Sequence, residues 1–246
     1  MRRSTGRHAR GVRTEEITAW SKQFVVVPSD NSINASFENL SNHTSEGRGD
    51  NPGGGVILDI GTGDGRFVYQ SARENPAKFY LGIDANAKPL GKISMKATRR
   101  PAKGGAPNLM FVQAAIEDLP AELNDTADEI HIHFPWGSLL RAVATGDADI
   151  LHNLHRISAP ACLLEVVIGI DPVRDQSEIS RLELPELTVE YLKTTLRPKY
   201  AAAGFAFRES GTVAPAEWPH LKSSWARRLQ PNDRREVVYF IAEAQK

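Results

Sequence analysis

The stretch Val56-Ile-Leu-Asp-Ile-Gly-Thr-Gly-Asp-Gly65 decides the fold. Val56–Ile60 is a short apolar run of strand character, Arg66–Glu74 beyond it has helical character, and glycines alternate through the turn between them. A strand that passes through a tight glycine turn into a helix opens a parallel α/β unit, and such sheets collect ligands beyond the carboxyl ends of their strands. Gly61, Gly63 and Gly65 let the turn reverse sharply and let a ligand reach backbone N–H groups with no Cβ in the way. A dinucleotide fingerprint, G-x-G-x-x-G, seats a pyrophosphate on the helix N-terminus. Here the third glycine comes one residue early. Asp59 argues the same way, because a carboxylate at the strand end repels a pyrophosphate and suits a ligand amine.

Further along, short apolar runs alternate with helical stretches, the pattern of a parallel sheet covered on both faces. The predicted strands are Val56–Ile60, Phe79–Asp84, Leu109–Gln113, Ile130–Phe134, Cys162–Ile168, Phe205–Glu209 and Val237–Ile241. Helices are expected over Arg66–Glu74, Pro89–Arg99, Asp147–Ile157 and Val189–Ala203, with a shorter one near Leu221–Leu229. Residues 28–55, rich in Ser, Asn, Asp and Gly, read as a flexible insertion or loop. It separates an N-terminal extension, 1–27, from a main domain, 56–246.

With 246 residues, 41% hydrophobic and 24% charged, the chain has the size and composition of one soluble globular domain. No apolar run approaches the roughly 18 residues of a membrane span, and Met1-Arg-Arg3 is not followed by a signal-peptide core, so a cytoplasmic location is expected. The lone Cys162 lies in an apolar run, where a buried, inert thiol is expected. Thirty basic side chains balance thirty acidic ones, which disfavours indiscriminate nucleic-acid binding. Their distribution is uneven: Arg2, Arg3, Arg7, Arg10 and Arg13 crowd the start, Lys92, Lys96, Arg99, Arg100 and Lys103 form a second cluster, and Arg227, Arg228, Arg234 and Arg235 a third. One such cluster reads equally well as a solvated face. Three keep a polyanionic partner in play.

The pattern D-x-G-x-G-x-G over Asp59–Gly65 resembles motif I of S-adenosylmethionine-dependent methyltransferases. Asp84 closes the second strand, where an acid accepts ribose hydroxyls, or alternatively caps the next helix. Ala115-Ile-Glu-Asp118 follows the third strand, where that class sets residues against adenine. Ile116 would lie on the ring and Glu117 or Asp118 accept its amine, with helix capping as the alternative. The resemblance implies a seven-stranded, Rossmann-like class I methyltransferase fold, a single domain with an N-terminal extension, and S-adenosyl-L-methionine as cofactor.

Phe134-Pro-Trp-Gly-Ser138 follows the fourth strand. Trp136, a large aromatic beside a pocket that must stay open, suits stacking better than core packing; Trp225, in Ser223-Ser-Trp-Ala-Arg-Arg228, fits either role. Two converging aromatics would sandwich a flipped base, each stack contributing roughly 1–3 kcal/mol. These blocks, with Arg100-Pro-Ala-Lys-Gly-Gly105 and Ala114-Ala-Ile-Glu-Asp-Leu-Pro120, resemble the aminoglycoside-resistance 16S ribosomal RNA methyltransferases of the kanamycin–apramycin type, which modify N1 of adenosine 1408. The insertion at 28–55 departs from that family.

The family resemblance implies that Trp136 and Trp225 stack on the target adenine, placed by Ser223, while Phe134 and Pro135 shape the loop that faces the methylated atom. Ser138 would stand on the cofactor side with Gly61, Thr62, Gly63, Gly65 and Ala115. Lys92, Lys96, Arg99, Arg100 and Lys103 would grip the RNA of the assembled 30S subunit, as would Arg227, Arg228 and Arg235, with Arg181 in the linker between strands five and six. A monomer is expected.

Adenine N1 carries a free lone pair, so it needs alignment with the methyl donor rather than a general base. Histidine is therefore not required. His131 and His133 alternate on the fourth strand and face one side; with no third ligand at metal spacing they read as structural, and no metal is expected. Competing readings are a methyltransferase acting on another RNA, such as tRNA guanine-N7, or on a small metabolite, and a cofactor-binding RNA chaperone without turnover.

Overall fold

A computed structural model describes residues 54–213 and 236–246. Seven strands, β1 (Val56–Ile60), β2 (Phe79–Asp84), β3 (Leu109–Gln113), β4 (Ala127–His133), β5 (Ser158–Ile170), β6 (Phe205–Thr212) and β7 (Glu236–Ala244), form one sheet in the order β3-β2-β1-β4-β5-β7-β6. The first five pair in parallel, whereas β7 runs antiparallel to both β5 and β6. The chain builds outward from β1 to β3 and then returns to the other side of β1 with β4. That reversal opens a crevice at the carboxyl ends of β1 and β4.

The helices are α1 (Arg66–Glu74), α2 (Gly91–Ala97), α3 (Gly137–Thr145), α4 (Ala148–Ile157), α5 (Gln176–Leu182), α6 (Val189–Tyr191) and α7 (Arg197–Ala202). They cover both faces of the sheet, which is why all five residues of β1 are buried. Alternation divides them: Val56, Leu58 and Ile60 pack with Leu140 of α3, Leu154 of α4 and Tyr200 of α7, while Ile57 joins Val68, Tyr69 and Ala72 of α1 on the opposite face. The buried amide of Asn108 donates to the carbonyls of Ala72, Asn75 and Lys78 at 3.0, 3.2 and 2.8 Å, closing the end of α1 and the entry to β2. Among the described residues no helix is long and apolar enough to cross a membrane.

The first three strands and α1 match the sequence expectation to the residue. β4 starts earlier than expected because its polar residues are paired: Asp128 Oδ2 accepts from the Val56 N–H at 2.8 Å and Glu129 accepts from Lys78 at 2.7 Å. It also stops earlier, since Phe134 turns out of the sheet with φ +50°. The expected helix Val189–Ala203 is interrupted by a π-helical turn at Leu192–Leu196. Pro198 explains it, because proline has no N–H for the carbonyl one turn back. The helices α3 and α5 were not expected. The N-terminal extension, nearly all of the 28–55 insertion and the helix expected near Leu221–Leu229 lie outside the described residues.

Candidate active site

The glycine loop is anchored to the end of β2. The N–H groups of Gly61 and Thr62 donate to Ile83 O at 2.8 and 3.0 Å, and Gly63 N–H donates to Asp84 Oδ2 at 2.8 Å. Two glycines do different work. Gly65 has φ +71°, and a Cβ there would come within 2.6 Å of Phe111 Cε1 and 2.9 Å of Ile93 Cγ2, so the residue permits close packing beneath the loop. Gly63 has φ +60° and nothing within 4 Å of a Cβ, leaving its rim open to a ligand.

Beyond the loop lies a cavity of about 530 Å³ at the carboxyl ends of β1 to β4, within the usual range for small-molecule sites. Most residues expected around the cofactor line it: Asp59, Gly61, Thr62, Gly63 and Asp84 on one wall, Ala115, Ile116 and Glu117 on the next, and Ser138 at the start of α3. Gly65 does not line it and serves as packing. The amide of Asn153 in α4 donates to the carbonyls of Ile116 and Glu117 at 3.1 and 3.3 Å, fixing the second wall. Phe67, Ala85, Pro89 and Leu139 also line the cavity and are not anticipated, being apolar positions that read as ordinary core, and so does His133, which the sequence reading takes as structural.

Asp59 is only 3% exposed. Burial pushes its carboxyl above the usual range, against the charge of His133, the hydroxyl of Thr62 and the charge of His131. Thr62 Oγ1 is itself buried with no hydrogen bond in good geometry among the described residues. A buried carboxylate with the Thr62 hydroxyl beside it on one cavity wall fits a cationic ligand group that brings its own donors. Asp84 keeps its carboxylate at the cavity edge, Oδ2 toward Gly63 and Oδ1 accepting from Asn86 N–H at 2.8 Å. Between these acids, Ile83, Ala85, Pro89 and Ala114 supply an apolar surface suited to an aromatic ring. The residues present therefore fit S-adenosylmethionine, which carries an ammonium, ribose hydroxyls and adenine.

The third wall follows β4. Phe134 N–H donates to Val167 O at 2.8 Å, and its ring is buried against Val167 and Val237. A positive φ is strained for a bulky residue, and this turn carries Pro135 and Trp136 to the cavity mouth, where Trp136 remains 46% exposed. Lys92 and Lys96 of α2 and Arg99, Arg100 and Lys103 of the following turn are all exposed. That turn is a folded platform: Lys103 and Gly105 N–H groups donate to Arg100 O at 2.7 and 3.0 Å, and Tyr69 Oη donates to Gly104 O at 2.5 Å. Arg181 is instead held by Glu178, with nitrogen–oxygen distances of 2.8 and 2.6 Å. Ser223, Trp225, Arg227, Arg228 and Arg235 lie outside the described residues.

Behind Asp59, on the same sheet face, runs a row of alternating charge. Lys78 Nζ is 2.7 Å from Glu129, Glu129 is 3.4 Å from His131 Nε2, Glu165 is 3.9 Å from His131 Nδ1, and Glu165 is 2.7 Å from His133 Nε2. Hydrogen bonding to His131, despite burial, holds the Glu129 carboxyl down at about 2. Burial opposes charge on His131, yet Glu129 and Glu165 outweigh it and push the imidazole up to about 9. Glu165 was not anticipated as their partner, because it arrives from the neighbouring strand.

The family model for 16S rRNA (adenine(1408)-N(1))-methyltransferase, NpmA, matches residues 43–244. The chain is 37% identical over 185 residues to the 16S rRNA (adenine(1408)-N(1))-methyltransferase of Streptoalloteichus tenebrarius, covering 74% of this chain and 84% of that protein. Among solved structures, the aminoglycoside resistance methyltransferase NpmB1 superposes with a TM-score of 0.71 at 43% identity, covering 85% and 91% of the two chains. A mutant of the 16S rRNA (adenine(1408)-N(1))-methyltransferase from Catenulisporales acidiphilia, solved with its cosubstrate SAM, gives 0.75 at 33% identity, covering 89% and 93%. With the class I sheet order and a cavity shaped for that cosubstrate, the chain belongs to the family of 16S rRNA (adenine(1408)-N(1))-methyltransferases.

Proposed function

We propose that this protein methylates N1 of adenosine 1408 in 16S rRNA, within the assembled 30S subunit, and so confers aminoglycoside resistance. The observation that carries the reading is one continuous cavity with a buried acid, Asp59, at its base and an exposed tryptophan, Trp136, at its mouth. S-adenosylmethionine, when bound, supplies an electrophilic methyl group on a sulfonium. Asp59 would hold the methionyl ammonium in an ion pair, and Thr62 would add a hydroxyl contact. Asp84 would accept hydrogen bonds from the ribose hydroxyls, and Ile116 and Glu117 would bound the adenine. Phe134 and Pro135 hold the turn from which Trp136 stacks on the flipped target base, with Trp225 on its other face. Base N1 would attack with its own lone pair as the sulfur–methyl bond breaks and its electron pair leaves with a neutral thioether, so none of these residues has to remove a proton; they align and desolvate.

The basic platform of Lys92, Lys96, Arg99, Arg100 and Lys103 supports a folded-RNA partner, since exposed cations on a rigid turn read backbone shape. The protein acts as a monomer in the cytoplasm, where 30S subunits are found. Purified 30S subunits incubated with labelled S-adenosylmethionine should show a primer-extension stop at A1408, and naked 16S rRNA should not. Absence of that stop on 30S removes the assignment. Charge reversal at Arg99, Arg100 and Lys103 separates this reading from a metabolite enzyme: it should abolish modification of 30S and leave cosubstrate affinity unchanged. Expression in a susceptible bacterium should give resistance to kanamycin and apramycin.

A further inference from the structure

The geometry points to a divalent transition-metal site, of the zinc class, formed by His131, His133 and Glu165 at the wall of the cofactor cavity, which His133 lines. Strand register creates it. His131 and His133 share a face of β4 by the two-residue period, and His131 pairs directly with Glu165 on β5, so one carboxylate stands before two imidazoles. One ligand atom from each lies within 4.8 Å of the others. Zinc with bonds of about 2.0–2.2 Å to nitrogen and oxygen spaces tetrahedral ligands roughly 3.3–3.6 Å apart. Glu165 sets Oε1 2.7 Å from His133 Nε2 and Oε2 3.9 Å from His131 Nδ1, so its two oxygens face the two imidazoles at distances on either side of that spacing. His131 Nδ1 is buried, too far from Glu165 for a hydrogen bond, and has no other partner among the described residues. An ion between them would satisfy it.

The surroundings have the form of an outer shell. A metal-bound imidazole ordinarily gives its other N–H to a carboxylate, and His131 Nε2 faces Glu129, which is tied in turn to Lys78. Phe67 of α1 closes over both imidazoles edge-on, with ring centroids 5.5 and 5.0 Å away. Asp59, Glu129 and Glu165 place three carboxylates along this strip, an acidic setting suited to a dication. The two histidines and one carboxylate leave the fourth position for water, and the ion would clamp β4 to β5 directly behind Asp59.

The test is zinc binding by the full, untagged chain after EDTA dialysis, titrated against a chromophoric chelator and followed by elemental analysis after gel filtration. About one ion per chain is expected, with affinity at least roughly 100-fold weaker in His131→Gln/His133→Gln and roughly 10–100-fold weaker in Glu129→Gln, which alters only the outer shell. Zinc retention that is absent in the wild type, or unchanged in the double variant, overturns the proposal. Should the double variant fail to fold, cobalt substitution of the wild type decides: ligand-field bands of a tetrahedral nitrogen–oxygen site support the proposal, and a spectrum of hexaaqua cobalt refutes it.

Discussion

Replacing Gly65 by alanine isolates what the glycine loop requires. Its φ of +71° costs an L-residue about 1–2 kcal/mol. The new methyl would also press on Phe111 Cε1 and Cζ at 2.6 and 2.8 Å and on Ile93 Cγ2 at 2.9 Å, between β3 and α2. Overpacking of that kind costs about 1–3 kcal/mol. The expected loss is therefore roughly 2–5 kcal/mol. Gly63→Ala is the internal control: its φ of +60° carries the same backbone cost, but no heavy atom stands within 4 Å of the new methyl. The variants should differ by the packing contribution alone, about 1–3 kcal/mol, or roughly 2–12 °C in melting temperature for a chain of this length. Urea denaturation at equal m-value, with thermal melts of cofactor-free protein, measures the difference. Equal destabilisation would refute the argument, as would failure of Phe111→Leu to recover part of the Gly65→Ala loss in the double variant.

Trp136→Ala should lower kcat/KM on 30S about 5- to 150-fold, the equivalent of one lost base stack, with an unchanged melting temperature because the side chain is half-exposed. A large stability loss would reassign it to packing. Asp59→Asn removes the charge but keeps the shape, so calorimetric S-adenosylmethionine affinity should fall roughly 10- to 100-fold while the fold persists; undiminished affinity would remove Asp59 from the ammonium site. Burial pushes the Cys162 thiol up to about 12. Its titration in the unfolded chain near ~8.5 favours unfolding, so the stability it contributes is intact below that pH and is lost as pH rises toward about 12. Iodoacetamide at pH 9 should label Cys162 only after urea is added, and prompt labelling of native protein would contradict its burial.

The half of the fold that holds the cofactor is legible in the sequence because its signals are local. Gly65 and Asn75 bracket α1, and Asp84 ends β2 where the apolar run ends. The other half depends on pairings between distant residues. Asp128 and Glu129 look like loop until Val56 and Lys78 supply their partners. Phe134 looks like strand until its positive φ is seen, and α3 begins at Gly137, directly after Pro-Trp, with no capping side chain to announce it. The site divides in the same way. Asp59 and the loop declare themselves by spacing, and Trp136 by its place after β4. Glu165 carries no mark in its own stretch of sequence and meets His131 and His133 only through the β4–β5 register.

The antiparallel position of β7 bears on synthesis. Among the described residues, β6 pairs only with β7, and the outer edge of β5 is covered only by β7. A nascent chain can therefore pair β1 to β5 and assemble the cavity walls well before Glu236–Ala244 leave the exit tunnel, but until then it presents the open edge of a thirteen-residue strand. The last strand to be made is the one that seals the sheet. The half of the sheet that holds the cofactor cavity can thus form first, while the long edge of β5 is covered only after Glu236–Ala244 have been made.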